Sequence, residues 1–435
     1  MERRILKKLK AWKDDEFRKP LVLQGARQVG KTWTLKTFGE ENFDTTVIIN
    51  FDNNGEAKAL FENGNSAKQF VSSIETLAGQ NVIEGSTLLI FDEIQECPKA
   101  ITSLKYFCEQ MPDLHIAAAG SLLGLTIHEG TGFPVGKVNM MHLYPLDFHE
   151  FLDAIGKQTF RELIESADFQ QLRIFKSSII EALKQYYYVG GMPEAVKIFS
   201  STNNYERVRA VQRDILETYR LDATKHLPIS DTEHILAVWD SIPSHLAREN
   251  KKFVFSNIAD GSRARDYRSA ITWLTQAGIA HSVNRITKPG VPITGYRDSQ
   301  AFKLFMNDVG LLSAVAGLDE KTLINGNKIF QEFKGSLTEQ FVCQQLLSLK
   351  EVQPFYWSAK NSSGEIDFLI QDKSNVLALE VKAEENLKAK SLAAFSKRYP
   401  NVICRRLSLS DFKDQGWMKN IPLYAIDTLT KVKDS

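Results

Sequence analysis

Cysteine is scarce and scattered. Cys97, Cys108, Cys343 and Cys404 form no Cys-x-x-Cys pair, which argues against a zinc knuckle or a disulfide framework and predicts a reducing, cytoplasmic setting. Charge of one sign is lacking too. With a formal net charge of +1, any contact with nucleic acid must come from a local patch and not from the field of the whole molecule. No apolar run approaches the length of a membrane span, so no membrane partner is expected. The first ten residues, Met1-Glu-Arg-Arg-Ile-Leu-Lys-Lys-Leu-Lys10, are too interrupted by charge for a secretory leader. Ile5, Leu9 and Trp12 instead mark one face of a short amphipathic helix. What remains is ordinary globular material. The 435 residues, 43% of them hydrophobic, suffice for roughly two to four domains with their own cores.

Against that plain background one stretch stands out. Gly25-Ala26-Arg27-Gln28-Val29-Gly30-Lys31-Thr32 fits the pattern Gly, four residues, Gly-Lys-Thr without a mismatch. Apolar Leu21-Val22-Leu23 before it reads as a strand, and Trp33–Phe38 after it as a helix. Such a loop turns backbone N–H groups towards a polyphosphate, and the helix N-terminus adds partial positive charge. Residues 25–33 are therefore the expected nucleotide contacts. Lys31 would meet the β/γ-phosphates, and the Thr32 hydroxyl would take a position on Mg²⁺.

Thr46–Phe51 reads as a second strand, Ser66–Leu77 as a helix, and Thr87-Leu-Leu-Ile-Phe-Asp-Glu93 as a buried parallel strand that delivers acids at its carboxyl end. About 60 residues beyond the loop, this spacing accommodates one intervening strand–helix unit. Asp92 is expected to hold Mg²⁺ and Glu93 to polarise the attacking water as general base. The next strand, His115–Gly120, ends at Ser121. That residue reads equally as a γ-phosphate sensor or as a helix cap at a strand–helix turn.

The loop, Phe91-Asp-Glu93, Gly120-Ser121, Tyr144-Pro-Leu-Asp-Phe-His-Glu-Phe151 and Gly190-Gly-Met-Pro-Glu194 together resemble a family of prokaryotic AAA-superfamily ATPases. Members of that family carry a C-terminal domain of unknown function that looks restriction-endonuclease-like. The resemblance covers nearly the whole chain. It implies an α/β fold with a parallel-sheet P-loop NTPase core of AAA type over 1–158. A helical lid over 159–229, a winged-helix-like domain over 230–300 and a nuclease-like α/β domain over 301–435 follow. Where relatives carry Arg, Gly136-Lys137-Val138 has Lys, a point charge without the planar fork of an arginine finger.

Within the third segment, helices over Asp231–Leu246 and Ser262–Gln276 precede the ribbon Ile279–Ile286 and Val291–Tyr296. Arg263, Arg265 and Arg268 cluster where a DNA reader would place them. A solvated helix face in an adaptor is the competing reading, and the lack of interleaved aromatics favours it.

A second constellation lies near the C-terminus. Glu365–Gln371 and Val376–Lys382 read as strands around the polar Asp372-Lys-Ser-Asn375 loop. With Gln371 opposite Val376, Asp367 would face Glu380 and Glu365 would face Lys382. Opposed carboxylates repel unless something positive lies between them, and a divalent cation would serve. Asp, a gap, then Glu-x-Lys is the pattern of restriction-endonuclease-like nucleases. On that resemblance Asp367 and Glu380 would bind a second Mg²⁺ or Mn²⁺, and Lys382 would stabilise the developing charge. Glu339, on a helix with an apolar stripe, would supply the upstream acid. The competing reading is an exposed hairpin face with a Glu365–Lys382 pair and solvated acids.

The expectation is thus Mg²⁺-dependent ATP binding and hydrolysis, coupled to a nucleic-acid-related activity of the C-terminal domain. Two alternatives stand beside it: a nucleotide-gated switch with an inactive nuclease fold, and an ATP-controlled metal-dependent nuclease. DNA or RNA and a second copy of the chain are the partners these readings leave open.

Overall fold

The computed structural model describes residues 2–62, 66–120, 132–225, 229–248, 251–258, 263–321, 328–359, 364–384 and 389–432. These fall into two compact units, Glu2–Tyr144 with Gln276–Gly278, and Pro145–Thr275 with Ile279–Ser435. The architecture is α/β. No helix among the described residues is long and apolar enough to cross a membrane.

In the first unit, α1 (Ile5–Lys13) buries Ile5, Leu9 and Trp12, the face that the spacing predicts. It is followed by β1 (Leu21–Gln24), α2 (Lys31–Asn42), β2 (Thr45–Asn50), α3 (Gly55–Leu60) and α4 (Ala67–Ala78). Then come β3 (Thr87–Asp92), α5 (Pro98–Gln110), β4 (His115–Gly120) and β5 (Asn139–His142). The strands form one parallel sheet in the order β2-β3-β4-β1-β5. β1, β3 and β4 are buried at every position, which is why they read as continuous apolar runs without alternation. Phe51, Phe61, Phe70, Phe91 and Phe107 pack ring on ring beside them. β4 separates β1 from β3, so the carboxyl ends of both open onto the same sheet edge, where α/β proteins bind ligands.

The second unit opens with helices: α6 (Phe148–Ala154), α7 (Gln158–Glu165), α8 (Phe169–Ile174), α9 (Lys176–Val189), α10 (Pro193–Thr202), α11 (Tyr205–Lys225), α12 (Ile229–Leu246) and α13 (Ala264–Gln276). A reciprocal Asp147–Glu150 capping box starts α6. Gly190-Gly191 ends α9 as its composition predicts, and the fit there is tight. A Cβ on Gly190, at φ +72°, would lie 2.0 Å from Asp308 Oδ1, and one on Gly191 2.0 Å from the Leu146 carbonyl oxygen.

β6 (Ala280–Ile286) follows, but its partner β7 is Arg297–Met306 and not the expected Val291–Tyr296, where Pro292, which has no N–H to give a ladder, opens a short 3-10 turn over Ile293–Tyr296. Then come α14 (Val309–Val315), α15 (Lys328–Ser348), β8 (Phe355–Ser358), β9 (Glu365–Asp372) and β10 (Asn375–Val381). The chain closes with α16 (Lys390–Arg398), β11 (Ile403–Ser408), β12 (Lys413–Asp414) and β13 (Lys419–Pro422). All eight strands share one mixed sheet, β12-β13-β11-β10-β9-β8-β6-β7. The ribbon is therefore an arm of the C-terminal sheet. β6 pairs with β7 on one side and, at Asn284 opposite Phe355 and Arg285 opposite Tyr356, in parallel with β8 on the other.

Candidate active site

The loop between β1 and α2 is shaped by residues that tolerate left-handed backbone. Gly30 has φ +92° and serves as the N-cap of α2, and Gln28 has φ +64°. Successive N–H groups in such a turn form an anion-binding nest. Gly25 needs its missing side chain, since a Cβ there would sit 2.3 Å from the Leu143 carbonyl oxygen. Lys31 is buried, and its ammonium donates to the carbonyls of Gly25, at 3.0 Å, and Ala26, at 2.9 Å. Burial pushes its pKa down to about 8, with Glu93 and Asp92 opposing and Arg27 assisting. Ala26 and Val29 are buried, Arg27 is part-buried, and the Trp33 indole is half exposed.

At the end of β3, Asp92 is buried and its two oxygens are separately engaged. Oδ1 accepts from the Thr32 hydroxyl at 2.9 Å, and Oδ2 from the Asn50 amide at 3.0 Å. Burial raises its pKa against both hydrogen bonds. Glu93 leaves the strand in left-handed backbone, φ +50°, and its carboxylate accepts from the Gln95 side chain. The fold thus brings Thr32 and Asp92, which are 60 residues apart, into contact beside a buried ammonium. Hydroxyl and carboxylate are the hard oxygen donors that Mg²⁺ takes, and the cation-lined nest suits a polyphosphate. The residues fit Mg²⁺ and ATP. Ser121 lies outside the described residues. Lys137 pairs with Glu109 at 2.8 Å on the surface.

The C-terminal hairpin pairs Gln371 with Val376 and runs in that register as far as Phe368 opposite Leu379. Its polar residues nevertheless find other partners than the pattern suggests. The Lys303 side chain on β7 is completely buried, 2.5 Å from Glu365 Oε1 and 3.6 Å from Glu339 Oε2. Lys251 caps the other Glu339 oxygen. Burial works against the Lys303 charge, yet Glu339, Glu365 and Asp367 hold its pKa above the usual lysine value. Burial likewise opposes the Glu339 charge, and the two lysines hold its pKa below the usual range. Asp367 accepts from the Val381 N–H at 2.7 Å; burial and then Glu339 push its pKa up to about 7 against Lys303 and Lys251. Glu380 belongs to a different set. It is raised by burial and answered by Lys382, 3.5 Å away, and by Arg406.

Glu339 and Asp367 thus share lysines while Glu380 sits with Lys382 and Arg406. Among the described residues no three His, Cys, Asp or Glu are placed to hold a metal ion. The second metal expected at Glu339, Asp367 and Glu380 therefore finds no support among the described residues. The positive charge that Glu339 and Asp367 need comes from Lys303 and Lys251, supplied by β7 and by the segment after α12. Lys382, just past the end of β10, pairs with Glu380 on that strand.

Residues 17–152 match the AAA domain family. This segment is similar to AAA domains and has the parallel-sheet core of a P-loop NTPase. Residues 180–322 and 334–424 match two domains of unknown function, DUF8612 and DUF4143. No curated protein matches the chain. Among solved structures, the Walker-type ATPase of Pyrococcus abyssi is 12% identical at a TM-score of 0.45, over 72% of this chain and 94% of that one. The Aeropyrum pernix Orc1 protein in complex with DNA is 14% identical at 0.30, over 72% and 91%. The Thermotoga maritima RuvB Holliday junction branch migration motor is 15% identical at 0.30, over 65% and 89%.

Two participants of the ATPase site escape a reading of motifs. Asn50 ends β2 directly opposite Asp92 in the ladder, and only its polar character after Val-Ile-Ile hints at this. Gln95 lies two residues beyond Glu93 with no motif to mark it.

Proposed function

We propose that the chain hydrolyses ATP·Mg²⁺ at residues 25–33, with Glu93 as general base, and that its C-terminal sheet serves as a scaffold without a metal of its own. The contact of Thr32 with Asp92 beside the buried Lys31 carries this reading. The nest N–H groups and Lys31 hold the phosphates, and Lys31 exchanges its carbonyl partners for phosphate oxygens. Thr32 and Asp92 would hold Mg²⁺, which when bound offsets charge on the phosphates. Asn50 keeps Asp92 oriented. Glu93 accepts a proton from the water whose oxygen bonds to the γ-phosphorus as the bond to ADP breaks, and Gln95 holds the Glu93 carboxylate in place.

Glu93→Gln keeps the size and hydrogen bonding of the side chain and removes the base. Calorimetry should find ATP·Mg²⁺ still bound, with phosphate release slowed by roughly 10²-fold or more. Unchanged release in that variant would assign the water to another residue. The scaffold half of the reading has its own check. The full chain with Mn²⁺ should leave DNA and RNA intact, and cleavage lost on Asp367→Asn would overturn it.

A further inference from the structure

Arg3 lies upstream of the matched ATPase segment, on the turn that leads into α1, yet its side chain is buried against the nucleotide loop. Nη1 donates to the Val29 carbonyl at 3.0 Å, and Nη2 to the Tyr144 carbonyl at 2.7 Å. The first acceptor belongs to the P-loop and the second follows β5, the strand beside β1. A peptide unit is planar and trans, so its C=O and N–H point in opposite directions. Holding the Val29 oxygen towards Arg3 therefore turns the Gly30 N–H away from Arg3. Left-handed Gly30 is the position where that peptide could most readily rotate, because no Cβ resists it.

We infer that Arg3 is a positioning residue for phosphate binding: its fork locks the Val29–Gly30 peptide in the orientation that presents the Gly30 N–H to the polyphosphate. α1 is then part of the nucleotide site. Its amphipathic face, Ile5, Leu9 and Trp12, seats the helix, and Arg3 at its entrance carries the contact. Donors fixed before the ligand arrives need not be reorganised on binding. A guanidinium suits this task because two carbonyls on different elements need a planar fork, which an ammonium does not offer.

The inference rests on the P-loop reading, and the experiment separates the two. Binding of ATP·Mg²⁺ and of inorganic tripolyphosphate is measured by calorimetry for the full chain, Lys31→Ala, Arg3→Met and Arg3→Lys, with melting temperatures alongside. Arg3→Met should weaken both ligands by the same factor, roughly tenfold, as expected for losing a charge-assisted hydrogen bond. Arg3→Lys should lie between it and the parent, and both should melt close to the parent. Turnover should show a raised KM with kcat nearly kept, because the nest serves ground and transition states alike. Parental affinity in both Arg3 variants, with binding abolished in Lys31→Ala, would overturn the inference alone. Affinity that falls only in step with the folded fraction would also overturn it. A parent chain that binds neither ligand would overturn the P-loop reading and this inference with it.

Discussion

Lys31 is the residue whose electrostatics are most exposed to test. Its pKa, lowered to about 8 by burial, is well below the ordinary value near 10.5. Without nucleotide, the unfolded chain holds more protons than the folded one between those values. Stability should therefore rise with pH through that window, as the cost of a buried cation disappears. ATP binding has the opposite sign, since phosphate wants the ammonium and not the amine. Affinity should fall above about pH 8, approaching tenfold per unit. Calorimetry across pH 7–9.5, corrected for the ionisation of ATP itself, reads the effect directly. A flat profile would mean that the loop N–H groups, not Lys31, carry the phosphate charge.

At the scale of elements, the C-terminal hairpin shows how a sheet can satisfy acids without a metal. Two strands alone would leave Asp367 in a crowd of carboxylates. The adjoining arm of the sheet brings Lys303 under Glu339 and Glu365, and the chain after α12 adds Lys251. Lys303→Met keeps the bulk and removes the charge, leaving buried carboxylates uncompensated. The expected loss is about 3–5 kcal/mol, typical for breaking one side of a buried ion pair. Asp367, raised to about 7, should make that loss pH-dependent. A raised folded pKa means that the folded state holds extra protons between about pH 4 and 7, and stability falls as they leave. Urea titrations at pH 5 and pH 8 should then show the larger deficit at pH 8. Equal deficits would remove Asp367 from the cluster's energetics.

On the scale of the whole molecule, the second unit is sewn together by strands from distant parts of the chain. β7 runs from Arg297 to Met306, so a chain ending at residue 300 would cut it in mid-strand and remove β8, the other neighbour of β6. Exposed edges of this kind seek other strands. That truncation should accumulate as aggregate or be digested rapidly by protease, whereas the full chain persists. A soluble, protease-resistant fragment 1–300 would show that the ribbon folds with the helices before it.

The sequence by itself determined what depends on local spacing. The nucleotide loop, the acid-bearing β3, the buried face of α1, the break at Gly190-Gly191 and the register of the β9–β10 hairpin all follow from periodicity or turn chemistry within a few residues. That register holds from Asp372 opposite Asn375 to Phe368 opposite Leu379. Tertiary structure alone decided which charges answer which. Lys303 is 62 positions from Glu365 and 36 from Glu339, and no spacing rule links three such residues. Arg3 likewise meets Val29 and Tyr144 only because α1 packs where it does. Local patterns record the backbone's own preferences. Partners for a buried charge are set by whichever distant strand the sheet places beside it.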